Sequence, residues 1–260
     1  QGYMSGVHIE RINEVMTAPP ETESPAQFFS SKYINGVSLE LNNISFSYST
    51  KYVMLSSLSF KLDPGEVLLI SGKSGCGKST LVKIILGLLP PTGGHIICNG
   101  VNILEHNIQS FRKITGTVLQ GDSLLSDSLL YNISFDNTVS LDDVIHITKG
   151  LGIHEVINSL PMGYYSQVTD INAFLSVGQI QRILLARAIY RKPALLILDE
   201  ATSNLDHESE TQVIDYIATI PCAKIIISHK GEALRIADKI LYLDRATSYC
   251  KSNIHNKHCS

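Results

Sequence analysis

The chain has 260 residues, 44% of them hydrophobic and 17% charged, enough apolar material for one or two packed domains, which excludes disorder for most of its length. Lysine and arginine number 21 against 24 acidic residues, a formal net charge of −3, so nucleic acid is disfavoured as a partner. The longest apolar runs, such as Ile84 to Leu89 and Leu195 to Leu198, are far shorter than the roughly 18 residues of a membrane-spanning helix. Five scattered cysteines (Cys76, Cys98, Cys222, Cys250 and Cys259) fit a reducing compartment better than a disulfide framework.

The first segment, QGYMSGVHIERINEVM, lacks the order of a signal peptide, and Ile9, Ile12, Val15 and Met16 recur at helical spacing. Thr17 to Ser31 concentrates Pro, Ser, Thr and Glu and reads as a connector. Residues 1–35 are therefore expected to be a linker from something upstream, with a globular domain over 36–245. Alternation in VSLELNNISFSY (Val37, Leu39, Leu41, then Ile44 and Phe46 in a phase of their own) predicts an antiparallel β edge. The apolar runs EVLLIS, TGTVLQ, ALLILD and KIIIS then alternate with helical patterns from about Gly77 to Leu88 and near Ser209 to Ile217, which predicts a mainly parallel α/β sheet. At about 121–190 strand signal fades, and Ser140–Leu151, Ile153–Leu160 and Gly178–Arg191 predict an inserted helical subdomain, with Ser140 capping one helix above Asp143. Residues 246–260 read as a polar, aperiodic tail. Its Cys250, His255, His258 and Cys259 match no zinc spacing.

Gly72-Lys73-Ser74-Gly75-Cys76-Gly77-Lys78-Ser79 fits GxxxxGK[ST], follows the strand Val67 to Ile70 and precedes the helical run beginning at Thr80. Such a loop cradles polyphosphate with backbone N–H groups and a helix N-terminus. Lys78 supplies a charge for the terminal phosphates, and Ser79 a hydroxyl for Mg²⁺. Cys76 reads as a small residue at a variable position of the loop.

Leu195 to Leu198 is a strand ending in Asp199 and Glu200, which places two acids at the carboxyl edge of the sheet. Asp199 is suited to orienting Mg²⁺ through water, and Glu200 to acting as general base. Taken alone, such a run equally describes a strand ending in solvated acids. Leu175-Ser176-Val177-Gly178-Gln179 precedes an amphipathic helix with Ile180, Ile183, Leu184 and Ala188 on one face, making Ser176 and nearby amides a second anion site.

LSVGQ followed by QRILLARAIYRKPALLILDEATSNLD resembles the signature, Walker B and D-loop of an ATP-binding cassette (ABC) ATPase, over roughly Gly36 to Arg245. The resemblance implies a P-loop NTPase fold in which two copies clasp ATP head to tail, each nucleotide lying between one copy's P-loop and the other's signature. It implies ATP contacts from Tyr48 (adenine stacking), Ser74, Gly75, Cys76, Gly77, Lys78, Ser79, Thr80 and Gln120, with Ser176, Gly178 and Gln179 contributed across the pair. It further implies Mg²⁺ at Ser79, Gln120 and Asp199, catalysis by Glu200 and the switch histidine His229, and an intersubunit role for Asp206. Two positions depart from the pattern: Val177 replaces the usual signature glycine, and Asn172 stands where exporters usually have glycine.

VLQGDSLLSDSLLYNISF and LPMGYYSQV resemble exporters rather than importers, and GLLPPTGG, VLQGDSLL and LPMGY together look most like the C-terminal ATPase of colicin-V-type bacteriocin and peptide exporters. That implies a membrane domain as partner at the cytoplasmic face of the membrane, with a peptide substrate that this domain does not itself bind. A soluble ABC ATPase of a non-transport system and an ATP-binding clamp with little turnover are the alternatives.

Overall fold

The structure, a computed structural model, describes Thr17 and residues 36–252 apart from 50–51, 107, 136–138, 172–173 and 245–247. Apart from Thr17, the connector and the helical spacing of Ile9 to Met16 lie outside the described residues. So do Asn172, His255, His258 and Cys259.

Strands β1 (Leu39–Ser49) and β2 (Tyr52–Leu62) pair antiparallel. The change of phase inside β1 has a local cause. Asn43 takes a left-handed conformation, φ 52°, and the pairing register shifts between Leu41 and Ile44. This bulge turns the even-numbered Ile44 and Phe46 to the face already buried by Leu39 and Leu41. Strands β3 (Val67–Gly72), β4 (Gly93–Cys98) and β5 (Val101–Asn102) follow, with helix α1 (Lys78–Ile85) between β3 and β4. Sheet one has the order β2-β1-β4-β5 and is antiparallel throughout.

Helices α2 (Ile103–His106) and α3 (Ile108–Lys113) lead to β6 (Thr115–Val118). The next segment is helical: α4 (Leu129–Ser134), α5 (Leu141–Gly150), α6 (His154–Asn158), a 3₁₀ turn at Gly163–Tyr165, α7 (Val168–Ile171) and α8 (Val177–Tyr190). Strand β7 (Leu195–Asp199), α9 (His207–Thr219), β8 (Ala223–Ile227), α10 (Glu232–Ile236), β9 (Lys239–Leu243) and β10 (Ser248–Ser252) complete the described residues. Sheet two has the order β10-β9-β3-β8-β7-β6, parallel from β9 to β6.

Strand β10 corrects the tail expected from residue 246. Ser248 to Ser252 pair antiparallel with Leu243 to Lys239, so the sheet extends to residue 252. The pairing at this sheet edge runs through backbone groups, which leave no periodic hydropathy in the sequence.

Strands β3, β7 and β8 of sheet two are buried on both faces, which is why they read as unbroken apolar runs. Leu68, Ile70, Ile197 and Ile225 pack toward sheet one and α1, whereas Leu69, Leu196, Leu198 and Ile226 pack toward α8, α9 and the helical segment. Cys76, Cys98 and Cys222 are buried free thiols, and burial pushes Cys98 up to about 12.

A buried polar hub ties the helical segment to α8. Asn132 is fully buried; its Oδ1 accepts from Leu125 N at 2.8 Å and Arg187 Nη2 at 2.6 Å, and its amide nitrogen donates to Leu125 O and Ser128 O. Arg187 also reaches the carbonyls of Asn132 and Ser123. Replacing Asn132 with Ala takes one partner from the half-buried Arg187 guanidinium and removes the side chain that serves the backbone of Leu125 and Ser128. We expect Asn132→Ala to lose about 3 kcal/mol of stability, read as a lower urea midpoint at unchanged m-value; an unchanged midpoint would refute the hub.

Candidate functional site: a phosphate loop facing two acids

Three parallel strands end on one side of sheet two and deliver the polar residues there. Strand β3 runs into the glycine loop. A Cβ at Gly72 would lie 2.4 Å from the Leu243 carbonyl, so only glycine fits beside β9. Gly75 (φ 74°) and Gly77 (φ 106°) take left-handed backbone that lets the loop turn into α1. Lys78 is 6% exposed, and its Nζ donates to Gly72 O at 2.7 Å and Lys73 O at 3.1 Å, leaving its third donor for another acceptor.

Strand β7 ends at Asp199, 4% exposed and hydrogen-bonded to Ser79. Burial raises the Asp199 pKa, opposed by the Ser79 bond, reinforced by the neighbouring Glu200 charge and opposed again by Lys78 and Lys83. Glu200 follows in left-handed backbone, φ 55°, a costly conformation for a non-glycine residue. It is held from both sides: its N–H donates to Ile227 O at 3.0 Å, and its carbonyl accepts from Gln181 Nε2 at 3.3 Å. Strand β8 leads to His229, whose Nε2 lies 3.6 Å from Glu200 Oε1.

A cavity of about 270 Å³ is lined by Ser74, Gly75, Gly77, Lys78, Ser79, Thr80, Gln120, Glu200 and Met54. Gln120 and Glu200 also line a neighbouring cavity beside α8. Tyr48, 58% exposed, lies alongside: its hydroxyl is 3.2 Å from Thr80 Oγ1, and Phe46 packs edge-on against it. Cys76 is buried behind the loop.

Ser176, Gly178 and Gln179 do not line the phosphate-loop cavity of their own chain. They open α8, where Ser176 Oγ accepts from Gln179 N while Gln179 Oε1 accepts from Ser176 N. The hydroxyl proton of Ser176 and the first helical amides remain directed out of the helix end. A Cβ at Gly178 would meet Asn204 O at 2.9 Å, whereas Val177 points its side chain outward, 60% exposed. Asp206 caps α9 through Ser209, and those bonds hold its carboxyl below the usual range.

Sequence reasoning passes over four residues here. Met54 packs on the loop at Gly77. Gln181 grips Glu200 O, Ser203 Oγ and Asn204 N, and Lys230 and Glu210 clamp residues 202–205 from the other side. Only Gln181 carries a signal, as a polar residue one turn into the signature helix.

A strand, glycine loop and helix facing a second acid-terminated parallel strand define a P-loop nucleoside triphosphatase. More narrowly, the chain belongs to the ABC transporter family, whose description matches residues 55–203. It is 36% identical over 237 residues, 90% of its length, to the colicin V secretion/processing ATP-binding protein CvaB of Escherichia coli, and covers 34% of that relative. It is also 36% identical over 244 residues to the alpha-hemolysin translocation ATP-binding protein HlyB of Escherichia coli, covering 92% of this chain and 34% of the relative. The chain thus spans about a third of the length of these curated relatives. A bacterial Atm1-family ABC exporter solved with ATP bound superposes with a TM-score of 0.82 at 28% identity, covering 96% of this chain and 45% of the other. The ABC-family resemblance read from the sequence is therefore shown.

The raised pKa of Asp199 has a consequence for stability. Because the folded protein disfavours the charged carboxylate, stability attached to Asp199 is present below the ordinary value of 3.8 and is lost as pH rises through the higher folded value. Asp199→Asn stays neutral. Its urea midpoint should exceed that of wild type at neutral pH, and the gap should narrow as pH falls to about 4. A gap that does not change with pH would remove burial of the charge as its cause.

Proposed function

We propose that this chain is the ATP-binding and ATP-hydrolysing domain of a peptide exporter, working as a head-to-tail pair at the cytoplasmic face of a membrane. The observation that carries the reading is a split site. Lys78, Ser79, Gln120 and Glu200 converge on one cavity, while Ser176, Gly178 and Gln179 at the start of α8 do not line it, which supports a site completed by a second copy.

In this reading ATP lays its adenine on Tyr48 and its phosphates in the loop 72–79, where Lys78 turns its third donor to the terminal phosphates. Water attacks the γ-phosphorus as Glu200 accepts its proton, and the bond to the bridging oxygen breaks to give ADP and phosphate. His229, 3.6 Å from Glu200, steadies the carboxylate and the γ-phosphate. Ser176 and the amides of Val177 and Gly178 close over the phosphate from the partner. The Ser79 hydroxyl, the buried carboxylate of Asp199 and the Gln120 amide form an all-oxygen donor set that fits Mg²⁺, which when bound neutralises phosphate charge.

An apolar groove supports docking of a membrane domain. Leu160, Pro161, Ile171 and the exposed Met162 (64%) and Phe174 (78%) surround a groove of about 440 Å³ in the helical segment, with Asp170 at its rim. None of the helices in the described residues is long and apolar enough to cross a membrane. A peptide cargo of the bacteriocin type is supported by relatives named for colicin V and microcin H47 secretion.

Two variants test this reading. Glu200→Gln should keep ATP affinity, lose phosphate release by about 100-fold or more, and double in mass on ATP addition by light scattering. Retained turnover would remove Glu200 as base, and a constant mass would remove the pair. Lys78→Ala should weaken ATP binding at least about tenfold, or 1.4 kcal/mol, by equilibrium titration; unchanged affinity contradicts the phosphate role of the lysine.

A further inference from the structure

We propose that Lys230, held by the buried carboxylate of Glu210, is a positioning residue that sets His229 against Glu200. The inference rests on the catalytic reading of those two residues and concerns what places them.

Lys230 immediately follows His229 in the chain. Its ammonium reaches three oxygens: Leu205 O at 2.7 Å, Thr202 O at 3.2 Å and Glu210 Oε2 at 3.4 Å. Two N–H donors thus bond backbone carbonyls while the charge pairs with the carboxylate, an arrangement that suits a compact ammonium. Glu210 is only 3% exposed, and its second oxygen accepts from Thr202 Oγ1 at 2.9 Å. The backbone of Lys230 is fixed as well, its N–H donating to Ser228 Oγ at 3.0 Å.

His229 sits between these two attachments. Its ring is half exposed, so its position follows from the backbone on either side rather than from packing. The other end of the same tether is the segment after Glu200, whose strained backbone is held by Ile227 and Gln181. One ammonium thereby fastens the loop carrying the histidine to the loop carrying the glutamate. The 3.6 Å separation of their side chains is the distance that this fastening sets. A displacement of about 1 Å between such groups is enough to cost on the order of 100-fold in rate.

Removing Lys230 alone would leave Glu210 buried and uncompensated, a fault of the fold rather than of the site. The decisive variant is therefore the neutral pair Lys230→Met with Glu210→Gln in the full chain, compared with Lys230→Arg and with wild type. We expect the neutral pair to unfold near the wild-type urea midpoint and to bind ATP within about twofold of wild type. Its kcat should nonetheless fall about tenfold or more, with Lys230→Arg recovering part of the loss. A neutral pair with wild-type kcat would overturn the proposal. So would a loss of ATP affinity in proportion to rate, or failure of the neutral pair to fold, since the contact would then be structural. Glu200→Gln run alongside separates the two readings: if it keeps turnover the catalytic assignment fails, and if it alone loses turnover only the role of Lys230 fails.

Discussion

The parallel pairing of β3 with β8 and of β8 with β7 is the constraint on which the site depends. Ile70 and Asp199 both stand opposite Ile227, so three strands reach their carboxyl ends at one level. From that level emerge the glycine loop, Asp199 with Glu200, and Ser228 with His229. Hydrogen-bond register among strands buried on both faces cannot slip without exposing apolar side chains. Groups separated by more than a hundred residues of chain are therefore delivered to one small volume by the core, and the loops make only the final adjustment.

Those adjustments are where polar contacts take over. Glu200 adopts a backbone that a non-glycine residue avoids, and two hydrogen bonds from different elements keep it there. Asp199 remains beneath the surface despite the cost of its charge, next to Ser79 and Lys78. Both residues trade comfort in the fold for position in the site, the pattern expected where chemistry rather than packing decides the residue.

Much of this arrangement was legible before the structure. The apolar runs of sheet two announce doubly buried strands, and the spacing around Lys78 and Asp199 announces the phosphate loop and its opposing acid. The rest was hidden for physical reasons. The bulge at Asn43 shows in the sequence only as a change of phase between Leu41 and Ile44. Strand β10 pairs through its backbone at a sheet edge, so SYCKS carries no alternation to read. Lys230, Glu210 and Asn132 act through contacts between segments distant in the chain, and a one-dimensional pattern has no term for those. Residue spacing marks the phosphate loop and the end of α8 as two anion sites, and the expectation that they act across two copies rests on the family resemblance.

The neighbours of Ser176 differ in how freely they can drift. Gly178 is pinned by the Asn204 carbonyl of its own chain, so replacing it damages the solitary molecule. Val177 is 60% exposed, so its side chain is held by little of its own chain. A change at 177 therefore costs the fold less than one at 178, and what it alters most is the surface presented to whatever the molecule meets. That position is a variable with which a lineage could retune encounter with little disturbance to architecture.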